Sequence, residues 1–163
     1  AALKQLASTL GMDGKADAAI AEYDAVIDDI KARRADLIAS KTIVSIQPGN
    51  GVLYVMNGST MLQPQVLADL GAKTLPPDAG QLYDSGEVPA EGFGETLGEV
   101  DGILLATTAP DSMSGLANET MWQRLPAVQA DALVASNGNI NYGSIYSAIQ
   151  VAKLIDALYE KLA

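Results

Sequence analysis

Histidine and cysteine are both absent from the 163 residues. That removes most nucleophilic and metal chemistry: no Ser-His-Asp or Cys-His system can be assembled, nor a zinc site of the usual His/Cys kind. No disulfide can form, so the chain carries no redox signature of its compartment. Basic residues are scarce. Ten Lys and Arg stand against twenty Asp and Glu, a formal charge of −10, which argues against nucleic acid, whose phosphates select basic faces. The scarcity is local. Residues 1–41 hold six bases and seven acids, residues 42–163 hold four and thirteen, and residues 74–123 contain no base. Such a stretch repels a polyanion or an acidic membrane. Aromatics are few, eight against 26 alanines, so the apolar surface suits close packing of elements better than a broad aromatic pocket. No apolar run approaches a membrane span and no leader opens the chain, which starts at Ala1 without Met. It therefore reads as a processed or trimmed piece, and the missing leader says nothing of compartment.

What is present is a hydrophobic fraction of 48%, enough for a real core. Residues 2–10 are helical, stopped by Gly11, and Asp13 is positioned to cap the next helix. Residues 15–38 lack Gly and Pro; Ile20, Tyr23, Ile27 and Ile30 fall at helical spacing with Val26 and Leu37 beside them, opposite a charged face. The period then changes. Residues 42–46 are a β-branched strand closed by Pro48-Gly49-Asn50-Gly51, and residues 52–56 a second extended piece. Pro64 opens a helix that runs to Leu70 and ends at Gly71. Residues 73–94 read as surface loop and residues 95–99 as a helical turn. Residues 103–107 are a buried strand, residues 118–123 and the segment from Leu125 short helices, and residues 132–135 the last strand. Ser144 caps a final helix whose stripe is Ile145, Ile149, Ala152, Ile155, Leu158 and Leu162. Short apolar strands alternating with helices predict a three-layer α/β/α lobe with a mostly parallel central sheet, strands 43–46, 103–107 and 132–135 side by side. The long helix before the first strand exceeds what one α/β winding needs and reads as a strut.

Ligands of an open α/β sheet sit beyond the carboxyl ends of its strands. Three loops qualify: 54–61, 107–114 and 137–144. Rich in Asn, Ser, Thr, Tyr and Gly, and charged only at Asp111, they suit hydrogen bonding and stacking rather than acid/base work. The candidate ligand residues are Tyr54, Asn57, Ser59, Thr108, Asn139 and Tyr142; none is catalytic and no metal or cofactor is expected of the chain itself. Gly49-Asn50-Gly51 lacks the spacing and lysine of a phosphate loop. The carboxylates Glu87, Glu91, Glu95, Glu99 and Asp101 lack the alternation of a calcium loop and read as a solvated face, though an exposed Glu there can also pair with a partner's Arg. Trp122, among apolar neighbours, reads as core.

The segment Trp122-Gln123-Arg124-Leu125-Pro126-Ala127-Val128, followed by the strand at 131–135, resembles the C-terminal lobe of the periplasmic binding proteins that deliver ferric siderophores, haem and cobalamin to ABC importers. Gly11-Met12-Asp13-Gly14-Lys15 looks like that family's entry into its long interlobe helix. Gly58-Ser59 with Leu67-Ala68-Asp69-Leu70-Gly71 looks like its first ligand loop and following helix, and Glu95-Thr96-Leu97 like its Glu-x-Leu. Phe93 stands where the family usually has Ser, and the stretch from Glu95 to Ile103 is shorter than usual. The resemblance implies residues 1–40 as helices including the interlobe helix, residues 41–163 as the C-terminal ligand-binding lobe, and a missing N-terminal lobe and lipoprotein cysteine. It implies an extracytoplasmic protein, periplasmic or membrane-anchored at full length, that is not an enzyme. The resemblance further implies capture of an iron-siderophore or similar chelate between two lobes and its presentation to the permease's transmembrane subunits, with Glu95 docking on the permease. The three loops contribute no Arg, which anionic catecholates favour. Tyr54, Tyr142 and Tyr146 lean toward a hydroxamate chelate, or haem with a tyrosine ligand. The fragment alone, with its cleft exposed, is a candidate homodimer. The rival readings are a stand-alone α/β interaction domain with an acidic partner-binding face, and a carboxylate-dependent glycosidase.

Overall fold

The computed structural model describes residues 2–49, 51–56, 61–76, 87–107, 113–136 and 143–163. The chain begins with helix α1 (Ala2–Thr9), which ends before Gly11 at φ 65°, and the long helix α2 (Asp13–Ser40). Asp13 is not the cap: Met12 holds that position with no side-chain bond, and Asp13 lies in the first turn. The buried stripe of α2 runs Ala16, Ala19, Tyr23, Ile27, Ile30, with Ile20 only half-buried. Near its end Arg34 leaves helical geometry (φ −117°, ψ 18°).

Strand β1 (Ile43–Pro48) turns through Gly51, at φ 77°, into the antiparallel strand β2 (Val52–Val55). Helix α3 (Leu62–Leu70) stops at Gly71 in the left-handed region, φ 71°, where glycine has no Cβ penalty. Strand β3 (Glu87–Pro89) pairs antiparallel with β2, inside the stretch expected to be loop throughout. A 3-10 turn and helix α4 (Phe93–Leu97) lead to β4 (Gly102–Ala106), all five of whose residues are buried. Helix α5 (Ser114–Ala117) was not legible in the sequence; α6 (Thr120–Gln123) follows, starting two residues later than the expected 118–123, with Glu119 at its cap. Helix α7 (Pro126–Gln129) has its proline in the first turn, β5 is Leu133–Ser136, and α8 (Ile145–Lys161) is capped by Ser144, whose hydroxyl accepts from the Ser147 amide at 3.1 Å.

The five strands stand in the order β3-β2-β1-β4-β5. The expected trio β1, β4 and β5 is contiguous and parallel, and an antiparallel ladder of β2 and β3 extends one edge, so the sheet is mixed. Alternation along the strands divides the core. Ile43 and Leu104 face a layer of α2, α3 and α8, where Ile149, Val151, Ala152, Ile155 and Leu158 are buried. Val44, Ile46, Ile103 and Leu105 face the short helices, with Phe93, Leu97 and Trp122. Trp122, 3% exposed, is core as expected.

Candidate functional site

Because β1, β4 and β5 are parallel, their carboxyl ends lie at one edge of the sheet. Apart from aromatic residues, Ser45, Gln63 and Ser136 are the polar residues buried as a whole among the described residues, each at most 2% exposed. They are bonded to one another. Ser45 Oγ, on β1, donates to Gln63 Oε1 at 2.7 Å; Gln63 Nε2, in the first turn of α3, donates to Ser136 Oγ at 2.9 Å. Ser136 Oγ donates to the Leu105 carbonyl at 3.1 Å, and the Thr107 hydroxyl donates to the Ser136 carbonyl. Met56 is tied in as well, its amide donating to the Ser45 carbonyl at 2.8 Å and its Sδ lying 3.5 Å from Ser45 Oγ.

These residues are the roots of the three candidate loops. Met56 and Gln63 flank residues 57–60, Thr107 precedes 108–112 and Ser136 precedes 137–142. A buried polar group is stable only when bonded, and a satisfied network admits few alternative arrangements. The network therefore fixes the three loop exits relative to one another, a rigid base for a ligand surface. The sequence reading missed all three side chains. Ser45 reads as filler in a β-branched run, and Gln63 as a helix surface residue. One signal was present: a lone serine inside an otherwise apolar strand needs a buried partner.

Of the candidate ligand residues, Asn57, Ser59, Thr108, Asn139 and Tyr142 lie outside the described residues. Tyr54 is described. It is half-buried on β2, opposite Gln47 and Glu87. Its hydroxyl donates to Glu87 Oε1 at 2.6 Å, a bond that raises its pKa and directs the phenol toward β3, on the far side of β2 from the network. Glu95 is exposed on α4, between buried Phe93 and Leu97, with exposed Glu91 and Glu99 on either side. The remaining two acids are engaged separately. Glu87 holds Tyr54, and Asp101 accepts from the Thr42 amide at 2.8 Å and pairs with Lys41 at 3.2 Å. No group of three or more potential metal ligands of the His, Cys, Asp and Glu type occurs among the described residues.

No family model matches the sequence, and no curated protein does. Solved structures do. The siderophore periplasmic binding protein from the fuscachelin gene cluster of Thermobifida fusca matches with a TM-score of 0.80 at 21% identity, over 96% of this chain and 58% of its own. The chain has the fold of a siderophore periplasmic binding protein. FhuD2 from Staphylococcus aureus, solved with bound ferrioxamine B, matches at TM-score 0.74 and 18% identity, over 98% of this chain and 64% of its own. FeuA from Bacillus subtilis, a triscatecholate siderophore binding protein solved with ferri-bacillibactin, gives TM-score 0.74 and 20% identity, over 94% and 56%. The chain thus spans roughly three fifths of the length of these proteins. No helix among the described residues is long and apolar enough to cross a membrane.

Proposed function

We propose that this chain is the C-terminal lobe, with its interlobe helix, of the solute-binding component of an ABC importer, and that the whole protein captures a ferric-siderophore chelate between two lobes outside the cytoplasm. The fold match over nearly all of the chain carries the reading. The network that joins the three loop exits supports it, since a binding lobe needs its loops held in place before ligand arrives. Residues 1–40 are then the helices that lead from the other lobe and residues 41–163 the lobe itself. Asn57, Ser59, Thr108, Asn139 and Tyr142 supply ligand contacts from the loops, and Tyr54 supplies one from β2. Glu95, exposed in a stretch without bases, docks on arginines of the permease's transmembrane subunits.

The ligand class follows from charge. Neighbours of this fold are described with ferrioxamine B and with ferri-bacillibactin, so the fold alone does not choose between chelates. A chain of net charge −10 with no base between residues 74 and 123 favours a chelate of low negative charge, of the hydroxamate kind, over an anionic triscatecholate. Equilibrium titration of the two-lobed protein with a ferric hydroxamate, a ferric catecholate and haem tests this. Submicromolar affinity for the hydroxamate, well above the other two, is the expected result. Absence of binding to all three overturns the reading.

A further inference from the structure

The buried stripe of α2 is Ala16, Ala19, Tyr23, Ile27, Ile30 and Ile38. Tyr23 brings the one side-chain polar group to it, where phenylalanine would fill the same space with nothing to satisfy. Its hydroxyl is satisfied across the layer, not along its own helix. It donates to Asp69 Oδ2, in the last turn of α3, at 2.7 Å and 46 residues away in the chain. Burial, the bond and the carboxylate charge all push the phenol's pKa up, so it stays protonated and remains the donor.

Helix α3 is also the element that carries Gln63. Its apolar side, Val66, Leu67 and Leu70, is buried in the layer it shares with α2 and α8. Such burial is non-directional, so it holds a nine-residue helix to the layer without fixing how far it slides or turns. Hydrogen bonds are directional, and α3 has them at both ends. Gln63, in its first turn, is bonded to Ser45 and Ser136 of the sheet, and Asp69, in its last, to Tyr23 of α2. Helical geometry sets these two positions about 9 Å apart along the axis and about 120° apart around it. Ties at opposite ends, pulling in different directions, fix both the slide and the rotation of the helix, which either alone leaves open. We propose that Tyr23 and Asp69 are positioning residues of the candidate ligand site: their bond seats α3 against α2, and α3, through Gln63, seats the roots of the three loops. The consequence for ligand binding rests on the function proposed above.

Tyr23→Phe removes the bond and keeps the ring, Asp69→Leu removes it from the other side, and Asp69→Asn keeps an acceptor oxygen without the charge. Two readouts on the two-lobed protein test the proposal. One is hydrogen exchange at the Met56 amide, which donates to the Ser45 carbonyl at 2.8 Å, compared with the Ile103 amide, which donates to the Ala132 carbonyl at 3.0 Å beside β5. The other is affinity for whichever of a ferric hydroxamate, a ferric catecholate and haem the parent binds most tightly. Tyr23→Phe and Asp69→Leu should each speed exchange at Met56 about tenfold, leave Ile103 unchanged and weaken the chelate about fivefold. Combined, they should do no more than either alone, because both remove one bond. Asp69→Asn should stay within about twofold of the parent in both readouts. Faster exchange at Ile103 by the same factor as at Met56 is general destabilisation and overturns the proposal. Parent-like exchange at Met56 or parent-like affinity in Tyr23→Phe overturns it too, as do additive losses in the pair or an Asp69→Asn protein as impaired as Asp69→Leu. A parent that binds none of the three chelates fails the proposed function instead, and exchange at Met56 then decides by itself whether the bond seats the loop roots.

Discussion

Replacing Gln63 with leucine tests whether the polar network organises the loop roots. Leucine keeps the volume close but removes the amide's bonds to Ser45 and Ser136. Ser45 Oγ then loses its 2.7 Å acceptor and keeps Met56 Sδ at 3.5 Å, a weak one. Ser136 Oγ loses its 2.9 Å donor and keeps the Leu105 carbonyl. Losing these two buried hydrogen bonds costs about 2 kcal/mol each, and burying leucine returns roughly 2 kcal/mol. The net is a loss of about 2 kcal/mol. Urea unfolding followed by the fluorescence of Trp122, the one tryptophan and 3% exposed, reads this as a lower midpoint at unchanged slope. A double-mutant cycle with Ser45→Ala sharpens the test. Alone, Ser45→Ala should destabilise by about 1–2 kcal/mol; in the Gln63→Leu background it should instead stabilise by about 1–2 kcal/mol, because it removes the hydroxyl that has lost its acceptor. Additivity of the two changes within about 0.5 kcal/mol would refute the network as a coupled unit.

Three further outcomes follow from the same structure. Tyr159 is fully buried with a hydroxyl that has no partner among the described residues, and burial pushes its pKa up to about 12; Tyr159→Phe should leave stability unchanged or raise it by about 1 kcal/mol in thermal unfolding, and a loss of more than about 1 kcal/mol would reveal a partner beyond them. Burial alone would raise the pKa of Asp156, but hydrogen bonds from Arg33 and Arg34, at 2.9 and 2.8 Å, outweigh it and hold the carboxyl below its ordinary value. Its contribution is therefore complete above the unfolded value of about 3.9 and is lost as pH falls through the lowered folded value, so Asp156→Asn should flatten the acid limb of the stability profile and cost about 1 kcal/mol at pH 7. In the two-lobed protein, Glu95→Ala should slow chelate transport in cells and leave chelate affinity unchanged; a fall in affinity places Glu95 in the binding site instead, and unaltered transport moves the docking role elsewhere.

The parallel trio and the flanking helices were legible because their signals are local. Ile43 to Ile46 and Ile103 to Ala106 are β-branched or aliphatic runs, α8 carries a continuous apolar stripe, and Gly11 and Gly71 mark helix ends where the backbone turns left-handed. Strand β3 was not legible. Three residues ending in proline, in a Gly-, Pro- and acid-rich stretch, have no periodicity of their own, and β3 exists because the β2 edge offers a ladder. The Asp13 cap failed for a comparable reason: the helix begins at Asp13 itself, leaving Met12 at the cap. At the site, Gly, Asn and Ser chemistry located the loops, but their support could not be read from sequence. Gln63 joins Ser45 and Ser136 across 18 and 73 residues of chain, and such pairings appear only once the sheet order brings β1, α3 and β5 to one edge.

The two-lobe claim is tested most directly by comparing chelate affinity with and without the second lobe. Calorimetric titration of this chain alone, and of the chain joined to its other lobe, with the same ferric hydroxamate gives both values. A submicromolar complex is worth about −8 to −10 kcal/mol, and one lobe retains about half of its contacts, leaving roughly −4 to −5 kcal/mol. The account predicts millimolar to sub-millimolar binding for the chain alone and submicromolar binding for the joined protein. Nanomolar binding by the chain alone would contradict it and show that the site is complete within these 163 residues.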